Sequence, residues 1–167
     1  MNYHFRKAVL AEIPPIWDIL QQAVLRRKLD GSQQWQDGYP NPEVIKKDIE
    51  TGAGYVLTDG DIIIGYSAVI FNHEPAYAAI KGKWLSNGDF IAVHRIAVSD
   101  AFLGRGLAEM IFKFIEEIAL SRAVYSIKAD TNFDNAAMLR IFEKSGYTYC
   151  GEVYFRGSAR MAFEKVL

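Results

Sequence analysis

The sequence predicts an α/β fold in which one mixed β-sheet is flanked by helices, and two observations carry that prediction. Residues 55–58 and 62–71 are apolar runs on either side of Asp59-Gly60-Asp61, a strong hairpin signal. Residues 90–98 form a buried apolar strand that is followed, after a glycine-containing turn, by an amphipathic helix over residues 106–122. Strands that alternate with helices along one chain are typical of a sheet covered by helices.

The N-terminal part is predicted as a strand, two helices and the hairpin. Residues 3–9 form the first strand, and Ile13-Pro14-Pro15 opens a helix in which early prolines are tolerated. The apolar stripe of this helix consists of Ile16, Trp17, Leu20 and Val24. Residues 31–42 are predicted as a polar loop that carries aromatic side chains, and Pro42 begins a short helix that ends at Glu50.

The C-terminal part adds an irregular segment, three further strands and a last helix. Beyond the strand 90–98 and the helix 106–122, the predicted elements are an irregular segment 72–88, a strand 124–129, a helix 135–144, and strands 147–155 and 161–166. Gly146 follows the last helix and is a natural left-handed C-terminal cap. The predicted order is therefore β-α-α-β-β-β-α-β-α-β-β.

Length, charge and cysteine content narrow the class of protein. At 167 residues the chain is expected to be one domain, residues 1–167, with a proper core. A net charge of −1 provides no general field for nucleic acid or an anionic membrane. Cys150 is the single cysteine, so no internal disulfide can form, and no signal peptide or apolar run of ~20 residues is present. A cytoplasmic protein without nucleic-acid or membrane partners is expected.

The turn Leu103-Gly104-Arg105-Gly106-Leu107 is the most informative motif. Glycines let backbone amides approach a ligand closely, and the first turn of a helix presents unpaired N–H groups and a partial positive charge. A strand, Gly-x-Gly and helix in this order can bind a phosphate, although such a turn can also only reverse the chain. A dinucleotide fingerprint is excluded because Glu109 stands where a third glycine is needed. A P-loop is excluded because Leu107-Ala108 follows Gly106.

The last helix carries a second motif, Asn-Ala-Ala-Met-Leu-Arg-Ile-Phe-Glu-Lys-Ser-Gly-Tyr at residues 135–147. With this motif and the glycine turn, the chain resembles the GNAT superfamily of acyl-CoA N-acyltransferases. The glycine motif of that family is Gln/Arg-x-x-Gly-x-Gly/Ala, and here Ala101 replaces the leading residue while both glycines match. The helix motif Asn-x-x-Ala-x-x-x-Tyr-x-x-x-Gly-Phe is matched by Asn135, Gly146 and Tyr147. The resemblance implies a mostly antiparallel, twisted sheet, acetyl-CoA as co-substrate and no metal.

The resemblance also implies which residues bind the cofactor. The pyrophosphate would be held by the turn residues Leu103, Gly104, Arg105, Gly106 and Leu107. The pantetheine arm would bond to the backbone of Ile96, Ala97 and Val98 and contact Asn135. Arg105 can equally be a solvated surface arginine, and Asn135 can be a first-turn helix residue chosen for local hydrogen bonding.

Phe142 is an important departure from the family pattern. Many members have a tyrosine at this position that protonates the departing CoA thiolate, and phenylalanine cannot donate a proton. A thiol pKa of roughly 8.5 makes the thiolate a tolerable leaving group near neutral pH. Phe142 is therefore expected to pack against the CoA arm in an enzyme that is slower or differently assisted, with Tyr125, Tyr147 and Tyr149 as candidate substitutes.

His94 is the candidate base or water relay, with a hydrogen-bonded structural histidine as the alternative. Some members of the family carry a glutamate early on the equivalent strand, where this chain has Ala92. Strand alternation places His94 on the same face as Ala92, Ile96 and Val98. An imidazole is suited to proton transfer near neutral pH.

Acceptor recognition is predicted from loop residues, and the function follows from the resemblance. The candidate acceptor-binding residues are Trp35, Tyr39, His73, Glu74 and Trp84. Aromatic rings with carboxylates suit a cationic amine, although each residue alone can close the core. We expect an acetyl-CoA-dependent N-acetyltransferase acting on a small-molecule or peptide amine. The alternative is a non-catalytic acyl-CoA-binding or sensing domain. Family members often dimerise, so a homodimer is one implied assembly.

Overall fold

A computed structural model describes all 167 residues, Met1–Leu167. The strands are β1 (Tyr3–Lys7), β2 (Gly54–Asp59), β3 (Ile62–Phe71), β4 (Lys81–Gly82), β5 (Ile91–Val98), β6 (Ser126–Thr131), β7 (Thr148–Phe155) and β8 (Ser158–Val166). The helices are α1 (Ile13–Leu29), α2 (Pro42–Glu50), α3 (Pro75–Ala78), α4 (Leu107–Ser121) and α5 (Ala136–Lys144). Two short 3₁₀ turns lie at Leu10–Glu12 and Asp100–Phe102.

The eight strands form one mixed sheet in the order β1-β2-β3-β5-β6-β8-β7-β4. The pairs β1–β2, β2–β3, β4–β7, β6–β8 and β7–β8 are antiparallel, whereas β5 and β6 are parallel. The predicted α/β class with a mostly antiparallel sheet is confirmed. β4 is an additional short strand inside the segment predicted as irregular, so the fourth predicted strand is β5.

Two strands begin two or more residues away from the predicted position because of local backbone geometry, and β1 ends at Lys7 instead of residue 9. β6 begins two residues later than predicted because Ala123 has a φ of 55° and the Val124 N–H donates to the Ala119 carbonyl, which caps α4. β8 begins at Ser158, three residues earlier than predicted. Arg156 and Gly157 both have positive φ and make a two-residue hairpin turn, so Phe155 pairs directly with Ser158.

The chain divides into two compact units, and the prediction of a single domain stays a prediction. The first unit consists of Met1–Val69 and Arg95–Phe112. Its core contains buried side chains of α1, α2, β2, β3 and β5, among them Ile16, Leu20, Ile45, Val56, Tyr66 and Ala97. Helix α2 begins after Asn41, whose side chain accepts a hydrogen bond from the Val44 N–H at 3.0 Å, as N-cap residues do.

The second unit consists of Ile70–His94 and Lys113–Leu167. One of its apolar clusters is formed by Tyr77, Ala92, Val153 and Ala162, with Ile70, Ile80, Trp84, Phe90 and Phe155 packed around them. β4 and β7 cross very closely, with Gly82 opposite Gly151. A Cβ atom on Gly151 would lie 2.2 Å from the Lys81 carbonyl oxygen, so only glycine fits there.

We expect Gly151→Ala to lower the free energy of unfolding by ~2–3 kcal/mol, because the new methyl group collides with backbone atoms and the φ of 142° is unfavourable for alanine. Thermal unfolding should show a midpoint roughly 5–10 °C lower. Gly88→Ala is the matched control, because nothing lies within 4 Å of a Cβ atom at Gly88. Equal midpoints for the two variants would contradict the steric argument.

Candidate active site

The backbone of β5 changes direction in its middle. β5 pairs with β6 through Ile91, Ala92 and Val93 only, although the strand continues to Val98. Arg95 has a φ of 53°, in the left-handed region that a non-glycine residue rarely adopts. The period-two alternation used for the sequence prediction therefore applies up to His94 and not beyond Arg95.

His94 lies among two carboxylates and a tyrosine, a group that we name the imidazole cluster: His94, Glu74, Asp130 and Tyr77. The His94 Nε2 atom is 2.6 Å from Glu74 Oε2, and Nδ1 is 3.7 Å from Asp130 Oδ2. The Tyr77 hydroxyl donates to Asp130 Oδ2 at 2.6 Å. The side chains of His94, Glu74 and Asp130 are 12%, 13% and 9% exposed, so their charges interact with little solvent screening.

Aromatic rings fix the orientation of the imidazole. The His94 ring centroid is 5.8 Å from that of Tyr77 and 5.7 Å from that of Phe155. Ala92 packs in the same cluster as these two rings, so His94 and Ala92 share a face of β5 as predicted. Glu74 is fixed as well, because it is the N-cap of α3 and its Oε1 atom accepts from the Ala76 N–H at 3.3 Å.

Asp130 was not predicted as a site residue, and its environment is the most unusual in the cluster. Burial raises the pKa of this carboxyl, and the charge of Glu74 acts in the same direction. The charges of His94 and Arg160 and the Tyr77 hydroxyl oppose the increase, but the net pKa is above its ordinary value. The sequence signal was a single aspartate directly after the buried run Ser126–Ala129, which a strand-edge argument could have selected.

Trp84 and His73 differ in the way they are placed. The Trp84 indole N–H donates to the Tyr77 carbonyl at 2.9 Å, and its ring lies 5.1 Å from the Tyr77 ring. The Lys128 ammonium stands 4.4 Å above the same indole. Trp84 is thus part of the packed wall around Tyr77, whereas His73 is exposed. Acceptor binding by either residue stays a prediction.

The two aromatic residues of the first loop contact the core and β5. Trp35, which has a φ of 61°, packs against the apolar core of the first unit. The Tyr39 hydroxyl is hydrogen-bonded by the Arg95 guanidinium, which also lies 5.9 Å from the centroid of the Tyr39 ring. Their predicted contact with an acceptor is untested.

Arg95 is the centre of a buried polar group that the sequence analysis missed and that we name the arginine clamp: Arg95, Asp48, Tyr66 and Tyr39. The Arg95 guanidinium donates to both carboxylate oxygens of Asp48, through Nε at 2.8 Å and Nη2 at 2.6 Å. The Tyr66 hydroxyl donates to Asp48 Oδ2 at 2.6 Å. Burial lowers the pKa of Arg95, but the bonds and charges of Asp48 and Tyr39 raise it above its ordinary value.

The predicted phosphate-binding turn is open. Gly104 and Gly106 have φ values of 76° and 70°, and a Cβ atom on either would meet nothing within 4 Å. Helix α4 begins at Leu107 and runs for 15 residues, so its unpaired N–H groups and positive end adjoin the glycines. Residues 103–106 are exposed, and the Arg105 guanidinium lies 4.9 Å from the centroid of the Phe102 ring. The backbone of this turn fits an anion.

Of the three strand residues predicted to bind pantetheine, Ala97 and Val98 have buried side chains and Ile96 is half-buried. Ala97 and Val98 are each 6% exposed. The Val98 carbonyl accepts a hydrogen bond from Arg26 Nη2 at 3.2 Å. Their binding role, which depends on backbone atoms of Ile96, Ala97 and Val98, stays a prediction.

The helix motif residues have clear structural roles. The Asn135 side chain caps α5 by accepting from the Met138 N–H at 3.2 Å, which is the local hydrogen bond considered as its alternative role. Phe142 is 1% exposed, with its ring 4.6 Å from Phe163 and 5.5 Å from Tyr147. Burial raises the pKa of Tyr147, which makes this hydroxyl a weaker acid.

The chain belongs to the acetyltransferase (GNAT) family, whose sequence profile matches residues 17–147. A GNAT-family acetyltransferase from Streptococcus agalactiae, known from a crystal structure, shares 37% sequence identity with this chain. The two structures superpose with a TM-score of 0.88, and the match covers 99% of this chain and 95% of that one. The predicted family is therefore confirmed, and the predicted acceptor is not identified by it.

Two further comparisons extend this result. Streptothricin acetyltransferase from Escherichia coli is 30% identical over 86 residues, which are 52% of this chain and 48% of that protein, so the match spans about half of the curated relative. The structure of yncA from Salmonella typhimurium, solved with its cofactor acetyl-CoA, has a TM-score of 0.71 at 17% identity. That match covers 100% of this chain and 95% of the other and shows the shared fold.

Two classes of feature do not occur in the structure. None of the helices combines the length and the apolar character required to cross a membrane. No three His, Cys, Asp or Glu side chains are grouped so that they could hold a metal ion. The absence of a metal in the reaction stays a prediction.

The raised pKa of Asp130 gives a pH-dependent stability. Because protonated Asp130 is favoured in the folded chain, its contribution is fully present below the ordinary carboxyl pKa and is lost as the pH rises through the raised value. We expect Asp130→Asn, which keeps an acceptor for Tyr77, to become more stable relative to the unsubstituted chain as the pH increases from 4 to 8. Urea unfolding across this range measures the difference. Asp61→Asn, at an exposed turn, is the control, and parallel curves for Asp130→Asn would contradict the argument.

Proposed function

We propose that this chain is an acetyl-CoA-dependent N-acetyltransferase that transfers the acetyl group to a primary amine of a small molecule or peptide. The observation that carries the proposal is the 2.6 Å contact between His94 and Glu74 in a chain of the GNAT family. Two residues predicted separately, one as a base and one for the acceptor, lie in one hydrogen-bonded cluster. An agmatine N-acetyltransferase and a ribosomal-protein-alanine N-acetyltransferase from Brucella melitensis share this fold, so both acceptor classes occur on it.

The chain supplies backbone groups that fit acetyl-CoA, which provides an activated acetyl thioester when bound. The exposed glycine turn with open space at both Cα atoms, followed by the first turn of α4, suits the pyrophosphate. We assign the pyrophosphate to Leu103, Gly104, Arg105, Gly106 and Leu107. Amides of Ile96, Ala97 and Val98 bind the pantetheine arm, and one of them polarises the thioester carbonyl. Asn135 and Phe142 support this arm from α5.

The imidazole cluster handles the proton of the amine. A lysine-like amine with a pKa of about 10.4 is free of its proton at only ~10⁻³·⁴ at pH 7, so removal of that proton is a large part of the work. His94 accepts it at Nδ1, directly or through a water molecule, while the Nε2 N–H donates to Glu74, which holds the ring and stabilises the charged imidazolium. Trp35, Tyr39, His73 and Trp84 are the proposed acceptor-binding residues. Asp130 Oδ2, which accepts from the Tyr77 hydroxyl, lies 3.7 Å from His94 Nδ1, beyond hydrogen-bond distance.

The reduction in kcat caused by loss of the base should depend on the pKa of the acceptor amine. We expect His94→Ala and Glu74→Gln to reduce kcat by ~10²–10⁴-fold at pH 7 for a lysine-like amine. For an α-amine with a pKa of about 7.8 the loss should be small, because a tenth of it is already unprotonated. Thiol release across pH 6–10 measures both. His4→Ala, an exposed histidine on β1, is the matched control. Undiminished turnover of His94→Ala at every pH would contradict the role of His94 as the base.

The cofactor is tested directly by thermal unfolding with acetyl-CoA, using ATP and NAD as controls. A ligand at 100 times its dissociation constant adds about 2.7 kcal/mol, which for a chain of this size raises the midpoint by roughly 5–10 °C. A shift specific to acetyl-CoA together with thiol release from an amine panel supports the enzyme. A shift without transfer to any amine supports the acyl-CoA sensor instead, and no shift at millimolar acetyl-CoA contradicts both. The cytoplasmic location and the homodimer stay predictions.

A further inference from the structure

The backbone of Arg95, in the middle of β5, has an unfavourable left-handed conformation. Five non-glycine residues have positive φ, namely Trp35, Asn72, Arg95, Ala123 and Arg156, and of these only Arg95 lies inside a strand. A left-handed φ disfavours a residue with a side chain by roughly tenfold. Such a conformation persists only where the surrounding structure enforces it, and it is typical of functional positions.

The arginine clamp is the structure that enforces it. Asp48 binds the guanidinium through both oxygens, and the two side chains are 7% and 9% exposed. Tyr66 from β3 fixes the carboxylate, and Tyr39 contacts the guanidinium from the loop before α2. A two-point contact between planar groups fixes direction as well as distance. Because Asp48 lies on α2, its bond to the guanidinium anchors the Arg95 side chain to that helix and thereby fixes the Arg95 backbone.

Stability alone is a poor explanation for the clamp. Removal of two charges from water costs free energy that their attraction often fails to exceed, and apolar replacements of buried ion pairs are frequently as stable. A glycine at position 95 would adopt the same φ without strain. The chain instead combines a strained arginine with a buried partner, and directly after it come Ile96, Ala97 and Val98, the amides assigned to the thioester.

We propose that Asp48 is a positioning residue, which acts through Arg95 to hold the β5 backbone in its left-handed conformation and so sets the direction of the Ile96, Ala97 and Val98 amides toward the acyl thioester. This inference rests on the proposed function. Neither side chain touches the reacting atoms, so the clamp acts on the backbone geometry of the free protein and not on the chemistry of the acetyl group.

Two substitutions at one position separate backbone geometry from the side chain. Arg95→Ala removes the clamp and leaves a residue that relaxes to regular strand, so we expect kcat to fall about 100-fold, the cost of a displacement near 1 Å. Arg95→Gly also removes the clamp but adopts a left-handed φ easily, and it should recover about tenfold of that loss. The dissociation constant for acetyl-CoA, measured by calorimetry, should increase in both variants, and more in Arg95→Ala than in Arg95→Gly.

The role of Asp48 is tested by substituting it in the unsubstituted chain and in the Arg95→Gly variant. Asp48→Asn should lower kcat in the unsubstituted chain but have no further effect on kcat in Arg95→Gly, because the clamp is already absent. Glu50→Gln removes an exposed carboxylate from the same helix and should leave kcat, the dissociation constant and the melting temperature unchanged. If Asp48→Asn fails to fold, Tyr66→Phe removes one hydrogen bond to Asp48 and should give a smaller loss of kcat in the same direction.

The outcomes decide between the explanations. Equal losses for Arg95→Ala and Arg95→Gly would overturn the proposal, because the guanidinium would then act directly. Lower melting temperatures with unchanged kcat and dissociation constant would overturn it in favour of a purely structural ion pair. If the unsubstituted chain neither binds acetyl-CoA nor transfers acetyl groups, the proposed function fails and the inference fails with it. An active unsubstituted chain with the alanine and glycine pattern described above supports both.

Discussion

The buried ion pair between Arg95 and Asp48 determines the course of β5. This strand carries the candidate residue for removal of the amine proton and the candidate amides that bind the thioester. His94 stands directly before the left-handed residue, and the amides assigned to the thioester come directly after it. A regular strand would continue its hydrogen-bonded ladder through these residues. The β5–β6 pairing covers only Ile91, Ala92 and Val93, and the backbone beyond Arg95 is the part to which we assign binding of the pantetheine arm.

The imidazole cluster surrounds one histidine with two carboxylates and a tyrosine, and we propose it for proton transfer. Glu74 approaches one ring nitrogen at 2.6 Å, and Asp130 stands 3.7 Å from the other. These groups are little exposed, so each charge is felt strongly by the others. Tyr77 links the cluster to the aromatic wall, since it donates to Asp130 and accepts from Trp84 through its carbonyl.

The departures from the family pattern fall where side chains are dispensable. Ala101 replaces the Gln or Arg of the family motif next to the glycine turn, whose proposed binding of the pyrophosphate uses backbone groups. Phe142 replaces a proton donor and instead fills the core between Phe163 and Tyr147. A thiolate with an ordinary pKa of roughly 8.5 departs without complete protonation near neutral pH. The chain thus keeps the glycines to which we assign cofactor binding and lacks the tyrosine that many members of the family use to protonate the departing thiolate.

The sequence by itself determined the fold class, the family and most of the elements, because hairpin turns, helix periodicity and the glycine turn are encoded by residues close together in the chain. It also selected His94 and Glu74, but as separate residues. The tertiary structure decided that they form one cluster with Asp130 and that Arg95 binds Asp48, a residue 47 positions earlier. Contacts of this kind leave no periodic signal, since each partner is an ordinary polar residue within its own element. Only the folded chain buries these side chains and directs them toward one another, and these two properties make them a candidate site.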